Sequence, residues 1–552
     1  MINDLAEAKV MLKQLINVLE TLTKEDKESK QLIQELRDEI NWLKGEKGKP
    51  IIKPNQGKGG EKEKDEENAN GHAANEKNPD ISSTEETKEK KSWQKTGKKD
   101  IIKIDKTVHC PVDKSILPPD AQYKGTEKIV GQNIIFRREN TEYLVELFYS
   151  PSEKKTYRGR LPDEYSGYFS KDLSAFSILS HYNLDIPRNK LLALYESMGI
   201  EMSTGSLNNI LQENAAMWIN EKKEILTAGL AGSGGVAQTD ITGARVNGQN
   251  HYSHIICGEK FTVYSTLPGK SRLDVLTAFQ GEPEAGLLYQ YNAHTLRLLS
   301  HFKISKHDKQ SLAAIYKDDQ IVSETEFINT IKEKYPALYT KKNMFRRVCD
   351  SFALAYFYEL GILKILVSDD AKEYELIALI RMLCWIHDGR HYKKLSPNFD
   401  CHRQILSNFM ERYWNYYHRL LNYTRNHLPE SIAELEKEFD CLFNPTTDYA
   451  DLNGEINRTL LNKEKLLTVL QYPSLPLHNN RSELAARRQV RKRDISLHTM
   501  TALGTKLQDA FMSITQTCIQ LNVDVWEYIR SRFYHTGEMY LPDLVRVKYN
   551  TS

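Results

Sequence analysis

The chain has 552 residues, 40% hydrophobic and 27% charged, with a formal net charge of +2. That length and apolar content imply several domains with at least one sizeable core and weigh against a disordered chain, while a near-balanced charge leaves any acidic partner to be inferred from where the basic residues cluster. Seven cysteines, an odd number with no Cys-x-x-Cys pair, argue against a disulfide framework or a zinc ribbon; with no signal-peptide pattern at Met1–Leu5, and with Glu359 and Lys364 breaking the longest apolar stretch (351–368), a cytoplasmic protein without a membrane span is expected.

Residues 1–44 carry a heptad repeat. Leu5, Ala8, Leu12, Leu15, Leu19 and Leu22 step by three and four, and the register resumes at Ile33, Leu36, Ile40 and Leu43 after a polar break at Asp26 and Ser29. A narrow apolar seam of this kind predicts a coiled coil and hence a homo-oligomer. Residues 45–100 are rich in Lys, Glu, Gly and Asn and read as a disordered linker. Segment 101–162 reads as a small β-rich domain, with strands over Lys128–Arg138 and Tyr143–Tyr149 and a turn at Glu139-Asn140-Thr141.

Segment 163–230 is helical. A helix over Pro187–Met198, a turn at Gly199-Ile200 and a second helix capped by Ser203 or Thr204 fit a helix-turn-helix DNA-binding region. Segment 231–510 reads as α/β. It opens with a meander over Val236–Arg245, His251–Cys257 and Lys260–Thr266, turning at Asn247-Gly248 and Gly258-Glu259, and a strand ends at Asp369. Long helical stretches separate these parts, and 511–552 forms a helical C-terminal extension.

Three acids fall at suggestive places. Asp240 and Asp369 close apolar, β-branched runs, and Glu483 opens a helix that turns strongly basic. Two strand-end aspartates and a helical glutamate can cage two Mg²⁺ or Mn²⁺ ions for in-line attack on phosphate, the chemistry of polynucleotidyl transfer. Asp369 is preferred over Asp370 because it directly follows the strand; Asp370 is assigned to capping the helix expected next. Arg487, Arg488, Arg491, Lys492 and Arg493 follow Glu483 and are expected to grip DNA phosphates, with Asn479 and Asn480 capping the helix or bonding the DNA backbone. His387 is either a packed histidine or a group that steadies a ligand or donates to phosphate. Cys384, Trp385 and the aromatic run Tyr413, Trp414, Tyr416, Tyr417 and Tyr423 read as packing.

An ordered set of motifs extends over most of the chain: the leucine repeat, Leu117–Gly125 (LPPDAQYKG), Gln238–Arg245 (QTDITGAR), Ser368–Ala371 (SDDA), Cys384–Arg390 (CWIHDGR), His478–Glu483 (HNNRSE) and Arg491–Ser496 (RKRDIS). By these the chain resembles transposases of the insertion sequence 66 family. The resemblance implies a ribonuclease-H-like catalytic domain over 231–510 with helical insertions, with Asp240, Asp369 and Glu483 as the D-D-E triad. It implies hydrolysis at the ends of a mobile element and transfer of the 3′-hydroxyls into target DNA. Double-stranded DNA and accessory element-encoded proteins are the implied partners. Two departures stand out. Where relatives carry four zinc ligands, only His109 and Cys110 occur, so no structural zinc is expected; and His478 stands where Asp is common. The alternative is a catalytically silent, transposase-derived DNA-binding protein.

Overall fold

The computed structural model describes residues 2–43 and 104–551, except 114–116, 119, 134–137, 166, 427–429, 445 and 537–539, with the side chains of the first helix described from 9 to 33. The linker 45–100 therefore lies outside the described residues, as do the side chains of the heptad positions Leu5, Ala8, Leu36, Ile40 and Leu43. The heptad segment is one helix, α1 (Ile2–Leu43). Its stripe is open: Leu12, Leu15, Leu19, Leu22 and Ile33 are all exposed. The opposite face, through Lys13, Asn17 and Glu20, docks on the body of the chain. Asn17 bonds Asp448 O at 3.1 Å and accepts from Ala450 N at 2.9 Å. Glu20, only 4% exposed, accepts from Asn398 N and faces His402 Nδ1 at 3.0 Å.

Two units divide the chain, one formed by Met1–Gln34 with Arg138–Ser552 and the other by Glu35–Arg137. In the latter, the described residues beyond α1 have no regular structure. The predicted strand at Lys128–Arg138 is thus absent among its described residues. The hairpin forms one step later, from β1 (Leu147–Ser150) and β2 (Lys155–Arg158), around a turn at 151–154. Pro151-Ser152 is the stronger turn signal, and with both strands largely exposed no buried face selects the earlier register.

The helical region comprises α2 (Lys171–Ile178), a π-helical turn over Leu179–Asn183, α3 (Arg188–Ser197), α4 (Thr204–Gln212) and α5 (Ala215–Gly232). Ser203 caps α4 by accepting from Ser206 N, as its sequence position predicts. Leu191, Tyr195, Leu207 and Leu211 turn inward to a large apolar cluster that also draws on residues as distant as Phe511 and Val545. Segments 163–230 and 511–552 therefore share a core with the α/β part, and the expected boundaries at 230/231 and 510/511 fall inside helices.

The main sheet has five strands in the order β5-β4-β3-β8-β9: β3 (Val236–Val246), β4 (Gln249–Cys257), β5 (Thr262–Leu267), β8 (Ile365–Ser368) and β9 (Ile380–Leu383). The first three form the predicted antiparallel meander, and Asn247 and Gly248, at φ +48° and +75°, make its two-residue turn. β8 and β9 add in parallel. Gly235 lets β3 start against β8: its φ is +80°, and a Cβ there would meet Lys364 N at 3.0 Å.

Between β5 and β8 run α6 (Arg272–Phe279), β6 (Leu288–Tyr291), α7 (Ala293–His301), α8 (Lys306–Ile315), β7 (Gln320–Ser323), α9 (Glu324–Lys334), α10 (Pro336–Thr340) and α11 (Lys342–Leu360); the β6–β7 pair is a small sheet inside a stretch predicted to be mostly helical. After β9 come α12 (Trp385–Lys393) and an insertion of α13 (Asp400–Asn426), α14 (Glu430–Leu442), α15 (Ala450–Leu461), α16 (Lys463–Leu466) and α17 (Thr468–Gln471). Its core surrounds Trp385 with Tyr413, Tyr416, Tyr417 and Tyr423, which settles the aromatic run as packing. The chain closes with α18 (Asn480–Ser496), α19 (Ala502–Gln520), α20 (Val525–Tyr534) and α21 (Leu541–Asn550). Among the described residues, no helix is long and apolar enough to cross a membrane.

Candidate active site

Strand register brings the two aspartates together. Val236, Ala237 and Gln238 pair in parallel with Ile365, Leu366 and Val367. Asp240 lies two residues further along β3 and Asp369 just past the end of β8, near enough for the charge of Asp369 to act on Asp240. Glu483 arrives from α18. The buried Asn479 at the start of that helix donates to Thr239 O at 3.3 Å, which fixes the helix end beside Asp240.

The electrostatics match a crowded acidic site. Burial, reinforced by repulsion from Asp369 and Glu483, pushes the Asp240 carboxyl up to about 7, even though Oδ1 accepts from Ile241 N at 2.8 Å. Asp369 is also raised, first by burial and then by Asp370, against a lowering bond from Ala371 N at 3.1 Å. Glu483 Oε1 is buried without a hydrogen-bond partner. The three carboxylates do not all lie within 4.8 Å of one another, so a hard divalent cation that would relieve the repulsion and the orphaned acceptor would have to draw them closer.

The loop after β8 corrects one expectation. Asp370 caps no helix; the short 3₁₀ turn at Lys372–Tyr374 has no side-chain cap. Asp369 itself makes the local turn by accepting from Ala371 N, and Arg458 reaches from α15 to hold Asp370 at 2.9 Å. Arg458 also binds the buried Asp388 at 3.0 Å, so this guanidinium ties the insertion to the loop. Arg381, on β9, donates to Asp369 O at 2.6 Å and Ala371 O at 2.9 Å, clamping the loop's backbone.

On α12, Arg390 Nη2 pairs with Glu483 Oε2 at 2.9 Å while Nη1 lies 3.0 Å from His387 Nε2. His387 Nδ1 faces Glu483 Oε1 at 3.6 Å, so the histidine borders the acids. Burial lowers its pKa, with Glu483 opposing. Arg381, Arg390 and Arg458 were not singled out by sequence; only Arg390, one helical turn beyond His387 in the CWIHDGR motif, carried a readable signal.

The basic run on α18 divides by surroundings. Arg488 forms a two-pronged pair with Asp185 and bonds Asn183 O at 2.9 Å; Lys492, 1% exposed, bonds His181 O at 2.6 Å. Both anchor α18 to the π-helical turn and the residues just after it, and neither is free for phosphate in this arrangement. Arg493 donates to Gly243 O at 2.6 Å. Arg487 and Arg491 are exposed. Asn479 faces β3 and Asn480 sits at the helix start, its N–H 3.4 Å from His478 Nδ1.

No protein-family model matches this chain. An uncharacterized protein, y4jO, of Sinorhizobium fredii (strain NBRC 101917 / NGR234) is 27% identical over 322 residues, which span 58% of this chain and 97% of that protein. No solved structure matches.

Proposed function

We propose that the chain is a D-D-E DNA transposase with a ribonuclease-H-like catalytic domain. The observation that carries the reading is the convergence of Asp240, Asp369 and Glu483 from two adjacent parallel strands and a helix, at a site where repulsion helps hold Asp240 protonated up to about 7. An antiparallel meander followed by two parallel strands, with one acid on the first strand and another just after the fourth, supports the fold assignment. Mg²⁺ or Mn²⁺ held by the three carboxylates would activate the attacking oxygen and stabilise the leaving one.

The remaining groups bind and position. Arg487 and Arg491 lie on the Glu483 face of α18 and would grip phosphates on either side of the scissile bond. Arg390 holds Glu483 in place and, once a cation takes over that carboxylate, can turn to the substrate. Arg381 and Arg458 fix the loop that carries Asp369.

The test uses the purified chain, DNA bearing the repeats that flank its gene, and Mg²⁺. The expected result is cleavage exposing 3′-hydroxyls, with joining to a target. Glu483→Gln should keep end binding and lose cleavage by orders of magnitude. Retention of wild-type cleavage by that variant would remove Glu483 from the triad; specific end binding without metal-dependent cleavage in the wild type would favour the silent DNA-binding alternative.

A further inference from the structure

A set of ligand atoms meets at Glu483. Cys384 Sγ, a His387 ring nitrogen and a Glu483 carboxylate oxygen all lie within 4.8 Å of one another. On these side chains His387 Nδ1 and Glu483 Oε1 are buried without hydrogen-bond partners, and they face each other at 3.6 Å. That gap is too long for a hydrogen bond. It matches the edge of a tetrahedron whose centre binds N and O at about 2.0–2.2 Å.

The scaffold holds these groups before any ligand arrives. Cys384 is the N-cap residue of α12 and His387 follows in its first turn. Glu483 sits in the first turn of α18. Trp385 N donates to Leu477 O at 3.0 Å, linking the start of α12 to the segment leading into α18. Burial pushes the Cys384 thiol up to about 11, and Glu483 adds to this, against backbone N–H groups of His387, Asn479 and Ile386 aimed at the sulfur; the thiolate a metal requires therefore forms only as the ion displaces the proton. His387 and Glu483 keep 23% and 12% of their side chains exposed while the facing Nδ1 and Oε1 are themselves buried, so an ion would enter by a small turn of these two side chains.

We propose that Cys384 Sγ, His387 Nδ1 and Glu483 Oε1 form a three-ligand site for a thiophilic divalent cation of the zinc class. One sulfur, one imidazole and one carboxylate select such an ion over Mg²⁺, which takes oxygen ligands. Loading releases the Cys384 thiol proton to solvent. It also moves the imidazole proton from Nδ1 to Nε2, because Nε2 now accepts from Arg390 and a ligating Nδ1 must present its lone pair; Arg390 then lets go of the ring. The site uses the same Glu483 as the proposed Mg²⁺ cage, so a zinc-class ion withdraws that carboxylate and inhibits. This inhibitory role rests on the transposase reading; the site itself does not.

The experiment uses the full chain with the exposed thiols removed (Cys110→Ser, Cys401→Ser, Cys441→Ser), stripped by chelator and titrated with Co²⁺ under a reductant that does not bind metal. One equivalent should give a thiolate-to-cobalt charge-transfer band with the intense visible bands of a four-coordinate ion. Zn²⁺ should erase the signal and excess Mg²⁺ should not. Cys384→Ser should lose the charge-transfer band, and His387→Gln and Glu483→Gln should each weaken binding at least about tenfold. Circular dichroism checks each fold; if Cys384→Ser misfolds, the two partly exposed ligands carry the test. No charge-transfer band, a band that survives in folded Cys384→Ser, or unchanged affinity in both other variants overturns the site. Mg²⁺-dependent DNA cleavage is scored separately, each variant against its own zinc-free rate: zinc should slow the parent and not Cys384→Ser. A cobalt site without any cleavage sinks the transposase reading alone, and cleavage without a cobalt site sinks this one alone.

Discussion

Replacing Asp240 with Asn should make the metal-free protein more stable above neutral pH while removing its chemistry. Burial, then repulsion from Asp369 and Glu483, lifts this carboxyl from an ordinary 3.8 to about 7. A raised pKa means the fold favours the protonated acid, so its contribution to stability is full below about pH 4 and is lost as pH climbs through 7. The displacement corresponds to at most about 4 kcal/mol. Asparagine keeps the size and drops the charge. At pH 8 the variant should therefore unfold at higher urea, by roughly 2–4 kcal/mol allowing for local relaxation, and the gap should close toward pH 4. The assay is urea unfolding with chelator from pH 4 to 8.5, repeated with Mg²⁺, which should raise the wild type and narrow the gap by binding the folded state. A variant that is less stable at pH 8, or a gap that does not change with pH, would refute the idea that Asp240 stands under acidic load.

Three further outcomes are expected. Asp369→Asn should abolish Mg²⁺-dependent cleavage, whereas Asp370→Asn should keep much of it, because Asp370 is engaged by Arg458 rather than facing Asp240; equal losses would reassign the ligand. Arg488→Ala should destabilise the fold by about 2 kcal/mol in chemical denaturation, because Asp185 loses its two-pronged partner and keeps only Lys492 at 3.4 Å, while Arg487→Ala should leave stability unchanged and weaken DNA binding in a salt-titrated gel shift; the reverse pattern would show that the run had been divided wrongly. Deleting residues 1–44 should lower the oligomer number in light scattering while the rest stays folded; an unchanged number would dismiss the leucine stripe as an assembly surface.

Much of the framework could be read from residue patterns because those patterns report local rules. The meander, the Asn247-Gly248 turn, the Ser203 cap and the single helix through the heptads all depend on neighbours in sequence. The place of Asp369 just past its strand was readable for the same reason, whereas Asp240 lies inside β3 (Val236–Val246) and not at the strand end its apolar run suggested. Which residues meet across the fold was not. The hairpin at β1–β2 was misplaced because its exposed strands lack a buried face to enforce alternation. Arg488 and Lys492 looked like phosphate ligands because a basic helix gives no sign that Asp185, some 300 positions earlier, will engage it. Arg381 and Arg458 were missed because they act through backbone carbonyls and carboxylates that only the folded chain assembles.

The docking of α1 has a mechanical consequence. Glu20 and Asn17 plug one side of the helix into the α13–α15 insertion, and this leaves the leucine edge pointing outward at a fixed azimuth. A second copy that zips onto that edge would be held at a set stand-off from the acids, with the insertion serving as the strut between them. The spacing of two DNA ends would then be gauged by the insertion's helices, whatever the length of the tether that follows α1. Shortening residues 45–100 should leave that spacing alone, whereas Glu20→Ala should loosen it.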